Sequence, residues 1–228
     1  GFVRMLTGSP LALAGVALLF GSSLAAAADE AQQPISDRFA QAEGDEVPDF
    51  QKHVSPLFGR LGCNGRSCHG SFQGRGEFRL SLFGYDFKAD HEALLDAKRP
   101  RVNVEKIDES LILAKPTDAD FHEGGERYKK GTWQHHVLRR WIAGGAKYSA
   151  KDVQKLVQLE VTPTEIQFNK AGETVQMRAL AVWPNGVRED VTPLVRFQSN
   201  NEQVAKIDEN GKVTATAPGD THVVLSYD

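Results

Sequence analysis

The stretch Leu61 to Gly70, L-G-C-N-G-R-S-C-H-G, holds the only two cysteines of a 228-residue chain, with a histidine directly after the second. It constrains the surrounding fold, because two thiols and an imidazole this close in sequence must share one small volume. Covalent haem attachment needs such a set. Each sulfur adds to one vinyl group of the porphyrin, and the ring of the next residue lies beneath the iron as its proximal ligand. The usual form has two residues between the cysteines. Here Asn64 to Ser67 intervene, so the loop has to bulge, and Gly65 is expected to take the unusual dihedrals. The motif alone leaves other readings open. Cys63 and Cys68 could close a small disulfide, or stay as thiols with His69 a bystander. A redox dithiol lacks its C-x-x-C spacing and βαβ context, and zinc would need further ligands where no third cysteine exists.

The N-terminus bears on the choice of compartment. Arg4 precedes an apolar run from Leu11 to Phe20, followed by S-S-L-A-A-A-A-D-E, which is the pattern of an export signal cleaved after Ala26 or Ala28. The run is short and broken by Gly15 and Gly21, which suits a membrane span poorly. Export to the periplasm or cell surface puts both cysteines outside the reducing cytosol, where disulfides and attached haem are both made. A net charge of -3 with short charge runs gives no basic stripe, so nucleic acid is not an expected partner.

Five segments follow from the pattern: an export signal at 1–28, a polar flexible leader at 29–47, a helical domain at 48–148, a joint at 149–158 and an all-β domain at 159–228. In the helical domain Asp49 is positioned to cap a helix carrying Phe50, Val54, Leu57 and Leu61, and Pro56 predicts a kink or a restart at Ser55. His53 reads as a surface or packing residue. Gly74 and Gly76 predict a tight turn leading into alternating Phe78, Leu80 and Leu82. Phe72, Phe83, Tyr85 and Phe87 concentrate aromatics there, as core packing or as the wall of a cofactor pocket. A short helix is expected at Asp90 to Ala97 with His91 solvated near its start. The Lys98 to Arg101 cluster reads as a solvated turn or a partner for haem propionates. Ser110 to Pro116 is an apolar segment stopped by proline, and a glycine-rich loop with His122 follows. A last helix should start at Thr132, bury Trp133, Val137, Leu138, Trp141 and Ile142, and stop at Gly144-Gly145, with His135, Arg139 and Arg140 on its polar face.

From Leu159 the periodicity switches to two. Short alternating runs are separated by P-N-G at Pro184 to Gly186 and E-N-G at Glu209 to Gly211, both hairpin signals, so a small β-sandwich is expected. No catalytic cluster falls in it. The chain starts at Gly1 and stops in a strand-like run, as a piece of a longer protein would.

The order of a helix, C-N-G-R-S-C-H-G-S-F-Q-G-R-G-E-F-R-L-S-L-F-G-Y-D, S-L-I-L-A-K-P-T, a histidine loop and W-x7-W-I-A-G-G-A resembles the small c-type cytochrome domains of secreted planctomycete proteins, in the subgroup with the four-residue spacer. The run V-A-K-I-D-E-N-G-K-V-T-A-T-A-P-G-D-T-H-V-V resembles bacterial immunoglobulin-like group 2 domains. The two resemblances together imply a mainly α cytochrome c-like domain followed by an all-β immunoglobulin-like sandwich. They imply one covalently attached haem c, with thioethers on Cys63 and Cys68 and His69 as proximal ligand. Methionine is the usual distal ligand, but the only methionines are Met5 and Met177, outside the domain. His122 takes the loop position instead, so bis-histidine ligation and a low potential are expected, with His91, His135 or an open site as alternatives. Arg79, Arg127 and Trp133 are the candidate propionate partners. The implied function is single-electron transfer to a redox partner protein. The β-domain would serve as spacer or as a contact to carbohydrate or cell surface, and further domains are expected in a longer chain. The competing readings are a haem enzyme with an open distal site, and a non-redox adhesive protein with a Cys63-Cys68 disulfide.

Overall fold

A computed structural model describes residues 31–148 and 155–227. The expected export signal and most of the expected joint lie outside the described residues. Helices occupy the first segment and strands the second.

Asp49 caps the first long helical segment, its carboxylate accepting from the backbone N–H groups of Gln51 and Lys52. The segment runs as a π-helical turn, Phe50–Val54, and then as α2, Ser55–Arg60. The restart falls at Ser55 because Pro56 has no N–H with which to continue the ladder. The carbonyl four residues back, that of Lys52, accepts the Tyr227 hydroxyl of the β-unit at 2.5 Å. A proline thus frees an acceptor on one unit that the other unit uses.

Helix α3 spans Phe87–Leu94, and α4, Leu111–Ala114, is a single turn. The third of these later helices, α5, spans Trp133–Ala143 and buries Val137, Leu138, Trp141 and Ile142. It ends at Gly144, and Gly145 has φ 92°, the left-handed turn that glycine takes without strain. Phe50, Val54, Leu57 and the α5 stripe form one core.

Several expectations are corrected. The segment expected as a flexible leader is packed: α1, Ile35–Arg38, and Phe39 bury Ile35 and Phe39 fully in that core. Gln32 pairs with the edge of the β-unit, its N–H donating to Arg188 O and its carbonyl accepting from Asp190 N. Two large apolar side chains among many polar ones escape a periodicity reading, yet their burial fixes the whole segment. Arg140 lies under Phe39 rather than on a solvent face, and donates to Glu46 O at 2.5 Å. His91 is also engaged, its Nε2 at 2.8 Å from Ala146 O and its ring edge-on to Phe50. The residues Phe78 to Leu82 form no strand beyond one bridge between Arg75 and Phe78. Helix α3 starts three residues earlier than expected, because Asp86 caps it through Ala89 N.

The β-unit contains β1 (Gln158–Thr162), β2 (Thr174–Gln176), β3 (Arg178–Val182), β4 (Arg188–Asp190), β5 (Arg196–Ser199), β6 (Ala205–Ile207), β7 (Lys212–Ala215) and β8 (Val223–Ser226). They pair in antiparallel fashion as β1-β3-β4, β2-β7-β6 and β5-β8. Both expected hairpins form: Gly186 (φ 82°) turns β3 into β4, and Gly211 (φ 84°) turns β6 into β7. Phe197 and Leu225 pack against both apolar clusters of the unit.

The two units meet through a buried carboxylate. Glu189 of β4 accepts from Arg38 of α1, from His53 Nε2 at 2.6 Å and from Trp183 Nε1 at 3.2 Å. Asp49 N–H donates to His53 Nδ1 at 2.9 Å, so that nitrogen carries no proton and Nε2–H faces Glu189. Burial alone would raise the Glu189 carboxyl, but His53 and Arg38 outweigh it and bring it down to about 2. His53 is therefore a packing residue, with an interdomain partner that no local pattern announced.

Candidate functional site

The cysteine loop is a compact knot of turns. Cys63 N–H donates to Phe58 O, which carries the loop off the end of α2; Cys68 N–H donates to Gly65 O, and His69 N–H donates to Cys63 O at 2.9 Å. The four-residue spacer thus folds back on itself and brings His69 against Cys63. The special glycines differ from the expected one. Gly62 takes φ 76°, whereas Gly65 keeps an ordinary dihedral. A Cβ on Gly70 would lie 1.9 Å from Asn64 O, so only glycine lets the loop close there. Both cysteines are free thiols, without a disulfide between them.

Past the loop, Leu80 N–H donates to His69 O at 2.9 Å. The turn at Gly74 and Gly76 returns the carbonyls of Arg75 and Phe78 to 3.1 Å from His69 Nδ1. A nitrogen facing two acceptors carries the proton, which leaves His69 Nε2 as the lone-pair nitrogen. Burial lowers the pKa of this imidazole, while the two carbonyls and the neighbouring charges act as smaller influences.

The opposite wall comes from the loop after α4. Asp118 folds it by accepting from Asp120 N and Phe121 N, and His122 N–H donates to Asp118 O. His122 Nδ1 lies 2.8 Å from Gly125 O, so His122 also keeps Nε2 free. Gly124 packs against this ring: a Cβ there would stand 2.7 Å from His122 Cε1 and would push the ring aside. The His69 and His122 rings face each other with centroids 6.4 Å apart and planes within 20°.

Cys63, Cys68, His69 and His122 line one cavity together with Phe58, Phe78, Leu80, Ile112 and Phe121. Burial pushes the Cys63 thiol up to about 12, with the Arg127 charge working in the other direction. This cavity therefore favours an uncharged sulfur at that position. Arg127 reaches it too, with Nη2 3.8 Å from Cys68 Sγ.

The remaining expected residues go elsewhere. Arg79 is exposed and lies over the Phe72 ring, and Trp133 lines a neighbouring cleft. Of the aromatic cluster, Phe72 (88 % exposed), Phe83 and Tyr85 point outward, while Phe87 packs on the core. Neither His91 nor His135 is on the cavity wall, and Met177 is buried in the β-unit. Arg75, Arg101 and Lys115 line the cavity and were not singled out. Only Arg101 carried a sequence signal, as part of the Lys98 to Arg101 cluster. The arrangement brings two imidazole Nε2 atoms, two thiols, apolar side chains and several cations to one cavity.

Among known families, residues 157–225 match the bacterial Ig-like domain (group 2), which covers nearly all of β1 to β8. The C-terminal unit is a domain of that kind. A comparison with curated proteins returns no match.

Proposed function

We propose that residues 48–148 form a c-type cytochrome module that carries one covalent haem and passes single electrons. The observation that carries this reading is the opposed pair His69 and His122. Each donates Nδ1–H to backbone carbonyls and keeps Nε2 free, and their ring centroids stand 6.4 Å apart. Both rings line the cavity that the two cysteines border, so these are the two imidazoles that would hold the iron. The donor set fits haem in other respects. Cys63 and Cys68 border the same cavity as both imidazoles, and thioethers would put neutral sulfur where burial disfavours a thiolate. Phe58, Phe78, Leu80, Ile112 and Phe121 supply apolar walls for a flat macrocycle. Arg75, Arg101, Lys115 and Arg127 would take the propionates, in place of the expected Arg79 and Trp133.

The haem iron supplies the Fe(III)/Fe(II) couple. The protein holds two imidazoles in one tautomer and limits water access. Its second imidazole, where a thioether is usual, lowers the potential. In this reading the module is exported and meets a redox partner protein outside the cytosol, and the Ig-like domain is its rigid support within a longer chain. An enzyme with an open distal position is the competing reading, and the nearness of the His122 ring to the His69 ring favours the bis-histidine module over it.

Expression with a cytochrome c maturation system in an exporting host, followed by denaturation and a pyridine haemochrome spectrum, tests the attachment. Haem retained by the wild type and lost from the Cys63→Ala, Cys68→Ala double variant is expected; a wild type without retained haem refutes the module. His122→Ala should convert a low-spin ferric spectrum to high spin. An unchanged low-spin spectrum would move the distal ligand elsewhere.

A further inference from the structure

We infer that the face around the mouth of the cysteine–histidine cavity is a docking surface for a protein partner that presents acidic side chains. On the cytochrome reading, which this inference presupposes, a partner seated at this mouth is the one that exchanges electrons. The arginines point to the place. Arg38, Arg60, Arg99, Arg139, Arg178 and Arg188 are each paired with a carboxylate. Arg66, Arg75, Arg79, Arg101 and Arg127 have no carboxylate partner among the described residues. All of these come from the cysteine loop or from the segments that wall its cavity: Arg66 lies between the two cysteines, Arg75 and Arg79 flank Phe78, and Arg101 and Arg127 are on the lining. A chain of net charge -3 that gathers these groups around one cavity carries a local field opposite to its overall sign.

Haem propionates do not exhaust this charge. Glu123 is the one carboxylate among the residues lining the cavity, against Arg75, Arg101, Lys115 and Arg127. Two propionates and Glu123 together match three of those four cations. Arg66 and Arg79 lie outside the lining and are exposed, so their charge faces solvent. Of the exposed acids close by in sequence, Glu77 is taken by Arg99 at 2.6 Å, and neither Asp118 nor Asp120 nor Glu126 lines this cavity.

Two phenylalanines accompany the cations. Phe72, on the Ser71–Gly74 turn just before Arg75, is 88 % exposed and has the Arg79 guanidinium over its ring at 5.8 Å. Phe121, on the cavity wall, is 51 % exposed and has Lys115 Nζ over its ring at 5.0 Å. Exposed aromatic rings beside arginines are the composition that protein interfaces concentrate. A ring covered on one face by a cation is not free to enter a lipid interior. Guanidinium groups also meet carboxylates through two parallel hydrogen bonds, so a protein surface of aspartate and glutamate matches this face better than an anionic membrane does.

Fluorescence anisotropy of a labelled glutamate–tyrosine copolymer, titrated with the haem-loaded full chain, tests this, with poly-L-glutamate and phosphatidylglycerol vesicles as comparators. Because the chain is net negative, a polyanion that binds it at about 20 mM salt is held by a local face, and the binding should weaken about tenfold by about 200 mM. The copolymer should bind more tightly than poly-L-glutamate, and Phe72→Ser should remove most of that advantage. Arg66→Glu combined with Arg79→Glu should weaken copolymer binding about tenfold. Lys170→Glu combined with Lys206→Glu makes the same change of net charge on exposed residues of the β-unit and should leave binding within about twofold. Arg66, Phe72 and Arg79 are exposed, so the variants should melt at the wild-type temperature, which separates lost binding from lost folding. No copolymer binding, equal losses from the two charge reversals, or tighter binding to the vesicles than to the copolymer would each overturn the docking face. Anisotropy requires no haem: a chain that retains none refutes the module, and a loaded chain that ignores the copolymer refutes this surface alone.

Discussion

Replacing Glu189 by glutamine should remove a defined, pH-dependent part of the stability. The carboxylate is 3 % exposed, accepts from Arg38, His53 and Trp183, and is brought from 4.5 to about 2. At about 1.36 kcal/mol per pKa unit, the depression is worth about 3 kcal/mol at neutral pH. Because the folded value lies below the unfolded one, this contribution is fully present above about pH 5 and is lost as the pH falls toward 2. By pH 3 about 2 kcal/mol of it should be gone. For a chain of this length that is a melting-temperature loss of about 4–8 °C beyond what the other carboxylates cause. The assay is thermal denaturation of wild type and Glu189→Gln at pH 7, 5 and 3, followed by circular dichroism and by the fluorescence of Trp183, which touches the carboxylate. At pH 7 the variant should be less stable by about 3 kcal/mol, since Arg38 then loses its buried counter-charge. The gap should narrow to about 1 kcal/mol at pH 3. Parallel curves with a constant gap would refute the argument, because the carboxylate would then not titrate differently in the folded state.

Three further outcomes follow from single contacts. Tyr227→Phe leaves the Lys52 carbonyl without the hydroxyl that Pro56 makes room for, and should cost about 1 kcal/mol, a fall of about 2–4 °C in melting temperature. Gly124→Ala drives a Cβ into the His122 ring, so the haem-loaded variant should show partial high-spin character in its absorption spectrum while its far-ultraviolet circular dichroism stays that of wild type. Gly70→Ala cannot close the cysteine loop around Asn64 O; haem attachment measured by peroxidase staining of denaturing gels should fall severalfold or more.

Residues with local partners were legible in the sequence. Asp49 as a cap, the restart forced by Pro56, the α5 stripe from Val137 to Ile142 and the turns at Gly186 and Gly211 each depend on neighbours a few positions away, so backbone chemistry alone specifies them. The Cys63, Cys68, His69 set and His122 were legible as residue types. Their facing geometry was not, because it rests on carbonyls at Arg75, Phe78 and Gly125 that turn geometry delivers. Arg79, a candidate within the resemblance, lies exposed over Phe72, while the turns on either side of it bring Arg75 and Arg101 to the cavity, and no local pattern distinguishes these three arginines.

What only the tertiary structure decided is how the units are joined. Ile35 and Phe39 sit in a polar segment with no period, and Glu189 lies on a strand more than a hundred residues from His53. Burial energy and desolvated charge depend on which surfaces meet, and sequence distance carries no record of that. The cysteine–histidine stretch was fixed by covalent neighbourhood, so the chain declared it from the first reading. The buried Glu189 clamp and the cleft beside Trp133 exist only once both units have folded against each other.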